Sequence, residues 1–349
     1  MCMATARKII QHRFVTPEIK EQFNKENVQL GQAFIMYKQT TDKSPRTVKN
    51  YSGDLNIIWY WNLMYNHDKL FLNWTKHDIL AFQSWCIEDC QHSSSRVRGL
   101  KSIINSMSNF VEDILDDDYP DFKKISHKIP SPPLIAKLPK SVFAMHDINV
   151  LLGYLTFSCQ YKRACCLALA ICSGRRKAEL VQFKLSDFTE DRLVCDGALY
   201  KSAPIRTKGR GKAGKPLECF ILAVQFQPYL DRWLSYRARH GIQSEWLFPN
   251  PDNPSEHLTP SALDTWAKKF NEHTELPFYW HSMRHLTVTN FVRAGIPDRV
   301  IQEYIGWDNM EMISHYSDLA KEEAFAMYFN ADGSYGGVDG NISDINMKG

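Results

Sequence analysis

The sequence predicts a mainly helical, two-domain chain with a small antiparallel β-sheet in its second half, an α+β domain following an all-helical one. Three observations predict it. Apolar residues recur at three- and four-residue steps through residues 25–118. A proline-rich break, Ile129-Pro-Ser-Pro-Pro133, interrupts that pattern. Beyond it, three short strand-like runs lie among further helical segments.

The first half sets out its helices with recognisable starts. Asn27 to Gln39 carries Leu30, Phe34 and Tyr37 on one side. Ser44-Pro45 reads as an N-cap followed by proline at the first helical position. The helix it opens places Val48, Tyr51, Leu55 and Ile58 on one stripe. Thr75 and Asp78 form a capping-box pattern ahead of Ile79, Phe82 and Cys86. Ser93-Ser94-Ser95 precedes a helix whose stripe is Val97, Leu100, Ile104, Met107 and Val111. Arg96, Arg98 and Lys101 gather near its start, where free backbone N–H groups add to the attraction for a phosphate. These segments predict an N-terminal extension over 1–24, a helical domain over 25–125 and a proline-rich linker over 126–139.

Pro139 precedes a new helix containing Asp147, Ile148, Leu151 and Leu152. The second domain is expected over 140–330, with strands at Arg192–Cys195, Leu199–Ile205 and Leu217–Leu222. After Asn330 the composition turns to Gly, Asp, Ser and Asn, which predicts a flexible tail over 331–349.

Composition narrows the function classes. The 349 residues include 44% hydrophobic residues, ordinary for a globular chain, and no apolar run long enough for a membrane span. With no signal-peptide core at the N-terminus, a cytoplasmic location follows. The nine cysteines have no Cys-x-x-Cys pair, so neither a disulfide framework nor a zinc ribbon is expected. A net charge of +3 serves nucleic acid only if the cations are gathered on one face.

Four segments carry chemistry. In Ser173-Gly-Arg-Arg-Lys-Ala-Glu-Leu180, an apolar helix ends at Gly174 and two arginines follow the turn. Lys201 to Lys215 holds Lys201, Arg206, Lys208, Arg210, Lys212 and Lys215 with no acid, interleaved with glycines, as a hairpin tracking a phosphate backbone would. His281-Ser-Met-Arg-His285 puts His281, Arg284 and His285 on one helical face. A zinc protease would need Glu where Ser282 stands. The last is Gly306-Trp307, with Tyr316 nine residues on.

In order and spacing these segments resemble the tyrosine recombinase and phage integrase family. The resemblance spans roughly residues 139–325 and is less specific over the N-terminal helices. It selects Arg176 and Glu179, with Arg175 at a usually apolar position, then Lys208, His281 and Arg284, His285, Trp307 and the nucleophile Tyr316. It implies transesterification: the Tyr316 oxygen attacks a DNA phosphorus, the 5′-oxygen leaves, and a 3′-phosphotyrosine ester conserves the bond. No metal or other cofactor is then required.

The residue types suit that reaction. Arg176 and Arg284 offer planar, permanently charged donors to the non-bridging oxygens. His281 is the candidate base and Lys208 the general acid. Indole donates one hydrogen bond and does not titrate, so Trp307 can bind or pack but cannot be the base. Glu179 and His285 orient their neighbours. Arg96, Arg98, Lys101, Lys201, Arg206, Arg210 and Lys212 are expected on the DNA backbone. The resemblance also implies a clamp around double-stranded DNA with inverted-repeat sites, and a homo-tetramer on two sites; a helix over Asp318–Asn330 is expected to dock either on a neighbouring subunit or back on its own domain. The extension 1–24 is expected to be too short for an additional arm-binding domain. Two alternatives remain open on these residues: a type IB topoisomerase-like relaxing enzyme, and a DNA-binding protein without catalysis. Integrase, resolvase and invertase are not separated.

Overall fold

The computed structural model describes residues 15–41, 43–125, 128–133, 143–209, 213–309, 334–335 and 338–341. The chain divides into two compact units, Met1–Leu138 and Pro139–Gly349. The expected extension, linker and tail fall largely outside the described residues, as do Arg210, Lys212, Tyr316 and the segment 318–330.

The first unit is helical: α1 (Pro17–Lys20), α2 (Lys25–Thr40), α3 (Pro45–Tyr65), α4 (Lys76–Glu88) and α5 (Ser94–Ile114). Its caps are those the sequence spells. Ser44 accepts from the Thr47 N–H at 3.2 Å, and Thr75 and Asp78 complete a reciprocal capping box. The core gathers Phe34, Ile58, Trp59, Trp61, Phe71, Phe82, Leu100 and Ile104. Two buried asparagines tie the turn after α3 to this core. Asn27 donates to the Lys69 carbonyl at 3.0 Å and accepts from the Phe71 N–H at 2.7 Å. Asn62 donates to the same Lys69 carbonyl at 2.9 Å. Each pairs a backbone group that burial would otherwise leave unsatisfied.

The start of the expected linker is not free chain. Ile129 is buried in the first unit's core, and the Lys101 ammonium donates to its carbonyl. Lys101 also donates to the Ser131 hydroxyl at 3.2 Å, and Arg98 donates to the Pro132 carbonyl at 3.0 Å. Proline prevents a helix here, but the carbonyls it leaves exposed are taken up by α5 cations.

The second unit surrounds α7 (Tyr161–Ser173), which is buried continuously from Ala164 to Ser173. Around it lie α6 (Met145–Phe157), α9 (Ala223–Arg239) and α11 (Trp280–Arg293). The remaining helices are α8 (Lys177–Leu180), α10 (Pro260–Phe270) and α12 (Asp298–Ile305). Truncating a core residue such as Leu167 to Ala should cost about 2–5 kcal/mol.

The strands are shorter and more divided than the sequence predicts. β1 (Leu193–Val194), β2 (Leu199–Lys201) and β5 (Phe220–Leu222) form one antiparallel sheet in the order β1-β2-β5. β3 (Ile205–Thr207) and β4 (Lys215–Leu217) form a separate ribbon. The expected strand Leu199–Ile205 breaks because the backbone between its ends bonds elsewhere. The Ser202 N–H donates to the Cys219 carbonyl at 2.9 Å, and the Ala203 N–H donates to Asp187 at 2.8 Å. Pro204 has no N–H to continue a ladder. Residues 334–335 and 338–341 pair as a short hairpin, β6 and β7. Among the described residues no helix is long and apolar enough to cross a membrane.

Candidate active site

The site is built where two helices end. Gly174 caps α7 with φ 60° and Gly306 caps α12 with φ 68°, both left-handed values that glycine adopts without strain. Each glycine also answers to space. A Cβ on Gly174 would lie 2.5 Å from Ile305 of α12. A Cβ on Gly306 would lie 2.2 Å from Leu217 of β4 and 3.2 Å from Nη1 of Arg175. The two helix ends therefore pack against one another through positions that tolerate no side chain.

Two buried arginines fasten this junction. Arg284, on α11, is 1% exposed. It donates to the Gly174 carbonyl at 3.0 Å and to the Ile305 carbonyl at 3.3 Å. Its guanidinium carbon lies 5.2 Å from the centre of the Trp307 ring, within cation–π range. Arg175, also 1% exposed, donates to the Tyr304 carbonyl. Thr287 anchors α11 to α7 by donating to the Ile171 carbonyl at 2.8 Å.

Arg176 occupies a different setting. Its side chain is about one-third exposed, and Nη1 pairs with Glu179 at 3.1 Å. Glu179 is buried and accepts from the Arg176 N–H at 3.1 Å through its other oxygen. With both bonds running from Arg176 to Glu179, this contact starts α8 and fixes the Arg176 backbone, leaving part of the guanidinium accessible.

The β3–β4 ribbon is docked to both. Gln182, just past α8, donates to the Arg206 carbonyl at 2.9 Å and accepts from the Arg206 N–H at 3.1 Å. Lys215 of β4 pairs with Asp308, next to Trp307, and Leu217 lies under Gly306. Lys208 follows β3 directly and is exposed. Trp307 is itself held by backbone: its N–H donates to the Gln302 carbonyl at 3.0 Å. His281 is exposed at the start of α11, with its ring 4.6 Å from that of half-buried His285.

The segments around Arg176 and Glu179, Lys208, His281 with Arg284 and His285, and Trp307 are thus brought to one place. Tyr316 lies outside the described residues. Tyr304 cannot take its part: it is buried, its hydroxyl donates to the Cys172 carbonyl, and burial raises its pKa far above the usual phenol value.

The other expected DNA contacts are distributed differently. Arg96 and Arg98 lie on α5 in the first unit; Arg96 pairs with Asp54 at 2.6 Å. Lys101 is 4% exposed, and desolvation lowers its pKa. Its ammonium is committed to Ile129 and Ser131, so in this structure it braces the chain rather than meeting solvent. Lys201 pairs with Glu218 at 2.9 Å, and Arg206 is exposed. Sequence reading missed the Lys215–Asp308 pair, the Gln182 tether and the buried Arg175, none of which has a local signature. The αL cap at Gly174 is signalled by its glycine; the one at Gly306 emerges only in the structure.

The cysteines near the site take no part in its chemistry. Burial pushes the Cys172 thiol up to about 12 and the Cys219 thiol up to about 11, so both stay protonated and unreactive.

Comparison with known proteins agrees with the geometry. Residues 142–323 match the model described as the phage integrase family, and residues 30–121 match the phage integrase N-terminal SAM-like domain. The SPbeta prophage-derived recombinase-like protein YomM of Bacillus subtilis (strain 168) is 28% identical over 238 residues, covering 67% of this chain and 68% of YomM. Tyrosine recombinase XerA of Pyrococcus horikoshii is 22% identical over 309 residues, covering 86% of this chain and 93% of its own. The fold is also that of XerH site-specific recombinase bound to palindromic difH substrate, with a TM-score of 0.62 at 16% identity, covering 90% of this chain and 92% of that one. A catalytic-domain match over more than half of the chain, preceded by its N-terminal partner domain, places this protein in the phage integrase family, the tyrosine recombinases, which cut and rejoin DNA.

Proposed function

We propose that this chain is the recombinase of a mobile element and that Tyr316 is its nucleophile. The observation that carries the site assignment is Arg284. One buried guanidinium reaches the turn before Arg176 and the turn before Trp307, and so joins three motif segments through a single side chain.

In this reading the scissile phosphate lies between Arg176 and Arg284, whose N–H groups stabilise the charge that grows on its non-bridging oxygens. Tyr316 Oη attacks phosphorus as His281 accepts the phenolic proton. The P–O5′ bond breaks, and Lys208 gives a proton to the departing oxygen. Trp307 donates its indole N–H to a phosphate oxygen, while Glu179 holds Arg176 and His285 supports His281. The reverse attack by a 5′-hydroxyl of another strand completes the exchange. The chemistry is closed in protons and needs no external energy source.

Double-stranded DNA is the partner, met by Arg98 on α5, by Arg206 and Lys208 at the end of β3, and by Arg210 and Lys212, which follow them in the sequence. We further propose that the target is an inverted repeat. The XerH recombinase, which shares this fold, is bound to a palindromic substrate, and that supports the reading, since each half of a palindrome presents the same face to one copy. Two such sites brought together call for four copies, a homo-tetramer acting on DNA in the cytoplasm.

The test is sequence selectivity. Protein–DNA adducts captured from a random pool of nicked duplexes should share an inverted repeat around a short spacer. Adducts without sequence preference, together with relaxation of plasmids that lack any common site, would instead support a type IB topoisomerase-like enzyme.

A further inference from the structure

The residue Arg175 stands where the family resemblance expects an apolar side chain, yet the fold buries its guanidinium beside the site. It is 1% exposed, Nη2 donates to the Tyr304 carbonyl, and Nε has no hydrogen-bond partner among the described residues. No carboxylate among the described residues pairs with it. Burying an arginine this way has a desolvation cost of several kcal/mol. Two helix C-termini offset it. α7 ends at Ser173, capped by Gly174 immediately before Arg175, and the Tyr304 carbonyl that Arg175 binds lies in the last turn of α12; each end carries a partial negative charge.

The consequence lies in what the bond holds. Arg175 takes the Tyr304 carbonyl and Arg284 takes the next one, that of Ile305. Gly306 follows, closely packed on Arg175 Nη1, and Trp307 comes after it. A leucine at position 175 would fill space but would leave the Tyr304 carbonyl without this donor. We propose that Arg175 is a positioning residue for strand cleavage. It fixes the end of α12 against the α7 turn, so that Trp307 and Arg284 meet the phosphate in one geometry. It acts through those two residues, by holding the backbone that carries Trp307, and not by touching DNA. This rests on the recombinase reading above.

The test measures single-turnover adduct formation on a random pool of nicked duplexes, with DNA retention and thermal melting measured alongside. Arg175→Leu is expected to keep DNA affinity and to slow adduct formation on the order of 10–100-fold, the effect of a small misplacement of reacting groups. Arg175→Lys, which can still reach one carbonyl, should recover part of the rate. Because Arg175 acts through Trp307, Arg175→Leu combined with Trp307→Phe should be slowed by less than the product of the two single effects. Strict multiplication of the two effects overturns the proposal, as does a wild-type rate in Arg175→Leu. So does a rate loss that merely follows lower melting temperature and weaker DNA retention, which is what a general stability role would give. If Arg175→Leu does not fold, Arg175→Lys decides alone: slower cleavage at native melting temperature supports the role, and an unchanged rate removes it. A wild-type chain that forms no adduct defeats the recombinase reading itself, a separate failure.

Discussion

The guanidinium of Arg284 lies 5.2 Å from the centre of the Trp307 ring while donating to backbone on both sides of the site. The ring is thus more than a wall. Its face favours the cation, and its N–H remains the one polar group that Trp307 can offer a phosphate.

This separates two functions of one side chain. Trp307→Phe keeps an aromatic face over Arg284 and loses the indole N–H; Trp307→Ala loses both. Single-turnover cleavage should fall in the order wild type, Phe, Ala, with the Phe-to-Ala step reflecting about 0.5–2 kcal/mol of cation–π contact and packing. Equal rates for the two variants would show that the ring face contributes nothing.

Gly306 should tolerate no substitution. Gly306→Ala demands φ near 68° from a residue with a Cβ, and drives that Cβ to 2.2 Å from Leu217. Strain and displaced packing should lower stability by about 1–3 kcal/mol, read as a lower melting temperature, together with a loss of cleavage. Native melting and native cleavage would contradict the account of the helix junction.

Lys208 is assigned proton donation to the leaving oxygen, and a thiolate leaving group needs no such donor. Lys208→Ala should slow cleavage of ordinary DNA by about 10²–10⁴-fold. It should act at close to the wild-type rate on DNA with sulfur in place of the bridging 5′-oxygen. Equal loss on both substrates would transfer the acid role to another group on the ribbon.

Much of this is legible in the sequence because it is local. Caps at Ser44, Thr75 and Ser93, the helix end at Gly174, and the spacing of Arg176 to Glu179 each depend on neighbours a few residues away. What is not legible depends on distant partners. Whether Lys101 faces DNA or the Ile129 carbonyl is decided by where the chain returns 28 residues later. That Arg175 is buried at the end of α12 follows from a contact across 129 residues. The strand expected over 199–205 divides for the same reason, since Asp187 and Cys219 claim the backbone in its middle.

Lys162 gives a pH-dependent signature away from the site. Burial, first among its causes, lowers its pKa to about 8, while it donates to the Pro249 carbonyl at 2.9 Å. The unfolded value is about 10.4. Between those limits the unfolded chain binds more protons, so this group's contribution to stability rises with pH from about 8 to about 10. Below that window the buried charge is a cost that Lys162→Met removes. The melting temperature of Lys162→Met relative to wild type should therefore be highest near pH 7 and decline through the window. A difference that grows with pH would contradict the assignment.

The central claim is the covalent link through Tyr316. Wild type and Tyr316→Phe should each be incubated with a random pool of nicked duplexes and denatured, and the tryptic peptide left bound to DNA should be identified by mass spectrometry. The account predicts that wild type yields a 3′-phosphate ester on Tyr316, and that Tyr316→Phe retains DNA and yields no adduct. An adduct of undiminished yield in Tyr316→Phe, or one mapped to another residue in the wild type, would contradict it.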